Sequence, residues 1–252
     1  MEKGKTMIDL HCHILPALDD GSPDAGTSLL MAEMAADSGT GQIVCTPHCT
    51  AGDPGMATRV RRIRGAADLM NQILARERIQ LQLFPGMEVL CTDRLAEDLA
   101  DRRLLTLADS RYLLIEFDFD ATDGYMWDCI QTVQQAGLVP VVAHPERYFA
   151  IQDDPSPVAA WFRAGCVIQV NKGSVLGRFG PRPAQTVDHL LEQGLAHVVA
   201  SDAHGTRSRT TVLSEVRDVL ARRYSPTYAD VLLLRNPRRI VMDRALLRPD
   251  EI

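Results

Sequence analysis

The hydrophobic positions of this chain fall in short runs, and longer stretches of helical period separate them. Seven runs read as strands: MIDLHCHI (7–14), GQIVCTPH (41–48), LQLFPGMEV (81–89), YLLIEF (112–117), VPVVAHP (139–145), VIQVNKG (167–173) and AHVVASDAH (196–204). Between the first two, SPDAGTSLLMAEMAADSG (22–39) offers Ser22 as a cap, Pro23 at the first helical position, an apolar stripe and a closing glycine. The stretches GYMWDCIQTVQQAG (124–137) and PAQTVDHLLEQG (183–194) also close with glycine and run straight into the next strand. Strand, helix and strand repeated in this way imply an α/β fold of parallel strands joined by right-handed crossovers. Seven such units point to a closed or nearly closed barrel, an open doubly wound sheet being the alternative that periodicity alone leaves standing.

The ends of the runs favour the barrel. In order they carry His11 and His13, His48, Glu88, Glu116, His144, Asn171, and Asp202 with His204. His11 and His13 are two apart on a strand, so both imidazoles project from one face. The turn Asp19-Asp20-Gly21 follows closely enough for a carboxylate to swing back toward it. In an α/β barrel the C-terminal strand ends converge on the face where active sites are built. One histidine or glutamate at a strand end is commonly a cap or a surface group. Five of the seven histidines at such ends, however, form a pattern, which leaves His189 to a helix face and His197 to a strand start.

Gathered in one pocket, five imidazoles with Asp20, Glu88, Glu116 and Asp202 exceed what one catalytic metal ion uses, so two or three ions are expected. Mixed nitrogen and carboxylate ligation suits zinc, manganese or iron better than calcium or magnesium. Ions about 3.5 to 4 Å apart serve in-line displacement at phosphorus. Arg147 follows His144 by three positions, and Arg207 and Arg209 follow His204, which suggests a phosphorylated substrate gripped by guanidinium forks. The commonest thiolate route to phosphate-ester hydrolysis is removed, because the residues six after each cysteine are Leu18, Ala51, Gly55, Glu97, Gln135 and Lys172, none of them arginine.

Composition narrows the classes further. With 252 residues, 46% hydrophobic and 24% charged, the chain is an ordinary globular protein large enough for a full core. A net charge of -6 is a poor match for nucleic acid, and the arginine clusters at 59–65 and 220–224 read as solvated helix faces. Cysteines 12, 45, 49, 91, 129 and 166 have no zinc-ribbon or disulfide spacing and are expected as reduced thiols. MEKGKT lacks the apolar run of a signal peptide, and no stretch approaches the about 18 apolar residues of a membrane span, so a cytoplasmic protein without membrane insertion is expected. The GKT at 4–6 has neither an upstream glycine nor a preceding strand, and is not a phosphate loop.

Taken together, HCH (11–13), DDG (19–21), TPH (46–48), GME (86–88), IEF (115–117), AHPERY (143–148), QVN (169–171) and ASDAH (200–204) resemble the polymerase and histidinol phosphatase (PHP) superfamily. DDG and HPERY tilt the resemblance toward the bacterial manganese-dependent tyrosine-protein phosphatases of capsule and exopolysaccharide synthesis. It implies a distorted seven-stranded (β/α)7 TIM-like barrel, here a single phosphoesterase domain over 7–252 behind a disordered leader of residues 1–6. It further implies three divalent ions, manganese first with iron or zinc possible, held by His11, His13, Asp20, His48, Glu88, Glu116, His144, Asp202 and His204. Asp20 is preferred to Asp19 because the family's ligand directly precedes the glycine, and Glu88 bridges two ions. Arg147 and Arg209 hold the phosphate while a metal-bridging hydroxide attacks in line. The implied partner is the phosphorylated tyrosine-rich tail of a bacterial tyrosine kinase; the oligomeric state is left open. The alternatives are a phosphatase of a small phosphomonoester such as histidinol phosphate, a nucleotide exonuclease, an amidohydrolase, and a metal-binding module without catalysis.

Overall fold

The computed structural model describes residues 6–247; of the expected leader only Thr6 falls within it. Nine strands are present: β1 (Met7–Cys12), β2 (Thr40–Cys45), β3 (His48–Thr50), β4 (Gln82–Pro85), β5 (Glu88–Leu90), β6 (Tyr112–Glu116), β7 (Val139–Ala143), β8 (Val167–Asn171) and β9 (Val198–Ala200). They form a three-stranded sheet, β1-β2-β4, and a six-stranded sheet, β3-β5-β6-β7-β8-β9, and every pairing is parallel. Neither sheet closes on itself. Where seven strands are expected, nine segments in two sheets are present.

Two of the expected strands, 41–48 and 81–89, are each broken in the middle. On β2 and β4 Cys45 faces Pro85, and on β3 and β5 His48 faces Glu88, so both halves keep the same offset of 40 positions. Each break is thus an interruption at one level rather than a change of register. Pro47 can donate no ladder hydrogen bond there. Opposite it the chain presses close: a Cβ on Gly86 would lie 2.8 Å from Val44 Cγ1. Beyond the break the two segments turn into the larger sheet. At the other edge, a single bridge between Cys12 and Ala203 links β1 to the chain after β9. It is supported by Asp202 N–H donating to the His11 carbonyl at 2.8 Å and His13 N–H to that of Ala203 at 2.9 Å.

The apolar core has two parts. Tyr112, Leu114, Val141, Ala143, Val167 and Val198 form a small cluster with Ile8, Leu10 and Val44. The next residues of the same strand faces, two positions on, are Glu116 on β6 and Gln169 on β8. The apolar cluster therefore floors a polar one. The opposite faces, Leu113, Ile115, Val142, Ile168 and Val199, pack under Met126, Ile130, Trp161, Val187 and Leu190 of the surrounding helices.

Of the expected helices, the first runs over Ala25–Asp37, later than read, and its cap is Asp24, which accepts from Thr27 N–H at 2.7 Å. Ser22 is instead buried, donating to the Asp24 carbonyl and pairing with Ser28, which leaves Pro23 outside the helix. The other two run over Asp123–Gln135 and Pro181–Glu192, each followed two residues on by a glycine with positive φ, Gly137 and Gly194. The arginine-rich segment 59–65 lies in the helix Met56–Arg76, yet it is more than a solvated face. Arg59 donates to the carbonyls of Leu18 and His48, and Arg62 to that of Ala17, bracing the loop that carries Asp19 and Asp20. All six cysteines are free and buried. Among the described residues, no helix is long and apolar enough to cross a membrane.

His197 serves the fold: its Nδ1 accepts from Ile168 N–H at 3.0 Å and its ring stacks on Phe162 at 4.6 Å. Burial pulls this imidazole down to about 4. The unfolded chain, with a histidine near 6.5, binds the proton first, so the stability due to neutral His197 is complete above that value and is lost as pH falls toward 4. His197→Gln should remove up to about 3 kcal/mol of acid-dependent destabilisation over this window. Thermal melting of both proteins at pH 4.5 and 7 checks it, and an unchanged pH slope in the variant would count against this account.

Candidate metal centre

Glu88, first residue of β5, is fully buried, and four imidazoles surround its carboxylate. Oε2 lies 3.0 Å from His11 Nε2, 3.2 Å from His13 Nε2 and 3.1 Å from His48 Nδ1, while Oε1 lies 3.0 Å from His144 Nε2. Despite these approaches, Oε2 has no hydrogen-bond partner. The other ring nitrogens of His11 and His13 are already engaged. His11 Nδ1 meets Gln169 Oε1 at 2.9 Å, an oxygen fixed because the same amide donates its Nε2 to the Val170 carbonyl. His13 Nδ1 meets Asp19 Oδ2 at 2.7 Å. With Nδ1–H committed on both rings, the two Nε2 lone pairs point at each other across 3.2 Å. Only a positive charge between them makes that arrangement favourable.

The remaining donors close around this point. Glu116 Oε1 is 2.7 Å from His48 Nδ1. Asp202 Oδ1 stands 3.6 Å from both His11 and His13 Nε2, and 3.5 Å from His204 Nδ1. Asp20 is exposed, with Oδ1 3.4 Å from His204 Nε2 and 3.6 Å from His48 Nε2. His204 Nε2 is itself buried without a hydrogen-bond partner. Ligand-competent atoms within 4.8 Å of one another form four overlapping groups: His13, Asp20, His48 and His204; His11, His144 and Asp202; His11, His13 and Glu88; His48, Glu88 and Glu116. Among the described residues these groups contain all nine expected donors and no others.

Electrostatics point the same way. Burial alone would raise the Glu88 carboxyl, but His11 and its neighbours hold it well below the usual carboxylate range. Burial would lower His11 and His48, yet Glu88 with Asp202 raises the first to about 9, and Glu116 with Glu88 raises the second to about 11. The cluster binds protons strongly because it is a concentrated negative site, and the same potential binds divalent cations. The unpartnered Oε2 and the opposed lone pairs fit metal ions with mixed nitrogen and oxygen ligation.

Both expected arginines reach Asp202. Arg147 Nη1 lies 3.1 Å from Oδ2, Arg209 pairs with Oδ1, and Arg209 Nε also donates to the Asp202 carbonyl at 3.1 Å. Arg207 is exposed and stands apart from the donors, lining a cavity of about 390 Å³ with Lys172, Arg178 and Arg209.

The chain matches, over residues 7–242, the family described as capsular polysaccharide synthesis, CpsB/CapC. It belongs to that family. The chain is 39% identical over 236 residues to the tyrosine-protein phosphatase YwqE of Bacillus subtilis strain 168, covering 91% of this chain and 92% of the relative. It is 30% identical over 245 residues to the tyrosine-protein phosphatase CpsB of Streptococcus pneumoniae, covering 95% and 100%. A solved structure from work on YwqE of B. subtilis and CpsB of S. pneumoniae, described as unique metal-dependent tyrosine phosphatases, superposes with a TM-score of 0.88 at 36% identity, covering 96% of this chain and 97% of the other.

Within this CpsB/CapC chain, further residues brace the site beside the nine expected donors. Asp19 and Gln169 each fix a histidine ring, and Asp19 also accepts from the backbone N–H groups of Gly21 and His48. Asn171 donates to Asp202 Oδ2 at 2.5 Å. In the HPERY segment, buried Glu146 accepts from Asn171 N–H and Ser174 Oγ, and Tyr148 donates to the Ala143 carbonyl while accepting from Phe117 N–H. These tie the ends of β6, β7 and β8 together. Gly21 is bound more tightly still, since a Cβ there would lie 2.3 Å from the His13 carbonyl oxygen and 2.4 Å from its Cβ. Gly21→Ala should cost about 1–3 kcal/mol and displace His13; chemical denaturation measures it, and a variant as stable as the parent would contradict the packing described.

Proposed function

We propose that this chain is a metal-dependent protein-tyrosine phosphatase acting in polysaccharide synthesis, on the phosphorylated tyrosine-rich tail of a bacterial tyrosine kinase in the cytoplasm. The observation that carries the proposal is the buried Glu88 oxygen ringed by three imidazole nitrogens without a hydrogen bond. The family membership and the named activity of YwqE and CpsB support the same reading. The parallel segments, with their two level breaks, are read as a distorted seven-stranded PHP barrel in one phosphoesterase domain, expected over 7–252, of which 248–252 lie outside the described residues.

His11, His13, Asp20, His48, Glu88, Glu116, His144, Asp202 and His204 would hold three divalent cations, manganese by preference with iron or zinc competent. Bound there, the cations supply a water of lowered pKa and neutralise charge on phosphate oxygens. The chain's own groups do the rest. Gln169 and Asp19 keep the His11 and His13 rings turned so that Nε2 offers a lone pair. Asp202 holds Arg147 and Arg209 at the site, where their forks bind the equatorial oxygens as these gain charge during in-line displacement. The leaving phenolate is stable enough to depart without a dedicated acid among these residues.

Two experiments test the reading. Protein stripped with excess chelator should not hydrolyse an aryl phosphate and should regain turnover with manganese; full activity in the chelator would reject the proposal. Gln169→Leu should weaken manganese binding by about 10–100-fold with the fold intact. Metal titration reads this out, and unaltered affinity would remove Gln169 from the account.

A further inference from the structure

Beside the metal centre lies a second feature that its chemistry does not use. The loops after β6, β7 and β8 bring Phe119, Phe149 and Phe179 together with Pro181, Pro183 and Arg147 around a groove of about 520 Å³. Among the described residues the exposed large hydrophobic side chains are Leu30, Leu69, Phe119, Phe149 and Met242. Only Phe119 and Phe149 of these are aromatic, and their ring centroids are 6.5 Å apart. Exposed aromatic carbon concentrated in one groove marks a surface that gains by being covered.

Arg147 is the wall shared by groove and metal centre. Its guanidinium lies 4.9 Å from the Phe119 ring centroid and 4.8 Å from that of Phe179, while Nη1 reaches Asp202. A phosphate held at Arg147 therefore has the aromatic groove directly beside it. Phe179 also lines the neighbouring cavity, whose other walls include Lys172, Arg178, Arg207 and Arg209. Phe179 owes its place to Gly173, where a Cβ would come within 2.5 Å of the Phe179 ring.

The geometry points to this groove as the seat of the phenyl ring of the phosphorylated tyrosine, with Phe119, Phe149 and Phe179 determining specificity for an aromatic ester. The inference rests on the phosphatase reading above. It gives one family of loops two tasks: the Phe119 and Phe179 rings hold Arg147 by cation–π contact, and together with Phe149 they cover the substrate ring.

The test uses the full manganese-loaded chain with a phosphotyrosine peptide and with glycerol 2-phosphate, which has no ring. In Phe149→Ala, whose side chain makes no cation–π contact with Arg147, the ratio of kcat/KM for the peptide to that for glycerol 2-phosphate should fall about tenfold. The fall should appear in KM more than in kcat, and Phe149→Trp should restore the ratio. Gly173→Ala, which displaces Phe179, should lower it as well. An unchanged ratio in Phe149→Ala, or a loss confined to kcat, overturns the inference and leaves the phosphatase reading standing. Failure of the unaltered chain to hydrolyse either substrate overturns both.

Discussion

Everything in this molecule is arranged so that one carboxylate can be buried. Glu88 is removed from water completely, and an unpaired charge in that position costs several kcal/mol, about the whole net stability of a small domain. Its neighbours come from β1, β3 and the end of β7, segments that only a parallel arrangement can bring to the same height. The breaks in the strands follow from this demand. By interrupting β2 and β4 at one level, the chain makes His48 and Glu88 the opening residues of β3 and β5, facing each other across the pair. An unbroken pair would continue alongside β1; the broken one bends these residues into the larger sheet, where Glu116 and His144 arrive.

The backbone carries part of the load. His144 and Asp202 have φ of 35° and 50°, in the left-handed region that non-glycine residues avoid at a cost of about 1–3 kcal/mol each. Both are locked by strand-like bonds to neighbours, His144 N–H to the Gln169 carbonyl at 2.7 Å and Asp202 N–H to that of His11 at 2.8 Å. The strain falls at the two places where a strand must stop and present a donor sideways to Glu88 or to the His11 ring. Regular strand geometry would send these side chains alternately in and out, and one of each neighbouring pair would miss the centre.

Much of this is legible in the sequence. Seven apolar runs that end in His, Glu, Asn or Asp predict convergence, and the nine expected donors do lie together. The limits of the reading are equally specific. Pro47 and Gly86 were visible inside two apolar runs, but periodicity sums over a run and does not show that both breaks fall at one level; that depends on pairing between segments 40 positions apart. Asp24 outcompeted Ser22 as a helix cap because the serine was drawn into a buried hydroxyl pair with Ser28. Gln169 is legible only as part of the QVN motif, since an amide in the middle of an apolar strand gains a role only once the histidine it turns is known, and that residue is 158 positions away. Asp19 and Asp20 are adjacent, yet one is buried against His13 and the other is open to solvent, a difference made by the turn at Gly21.

The choice of arginine over lysine at 147 and 209 follows from the same crowding. Both side chains already spend a donor on Asp202, so either must keep others for a second anion. A guanidinium presents five N–H groups in a rigid fork and stays charged whatever its surroundings. It can hold Asp202 along one edge and meet phosphate along another. Arg147 adds a requirement that an ammonium would meet poorly, because its guanidinium lies over both the Phe119 and the Phe179 ring. A lysine there would turn toward Asp202 as a point charge and release the two rings. The position of Arg147 thus joins the charged centre to the aromatic surface beside it.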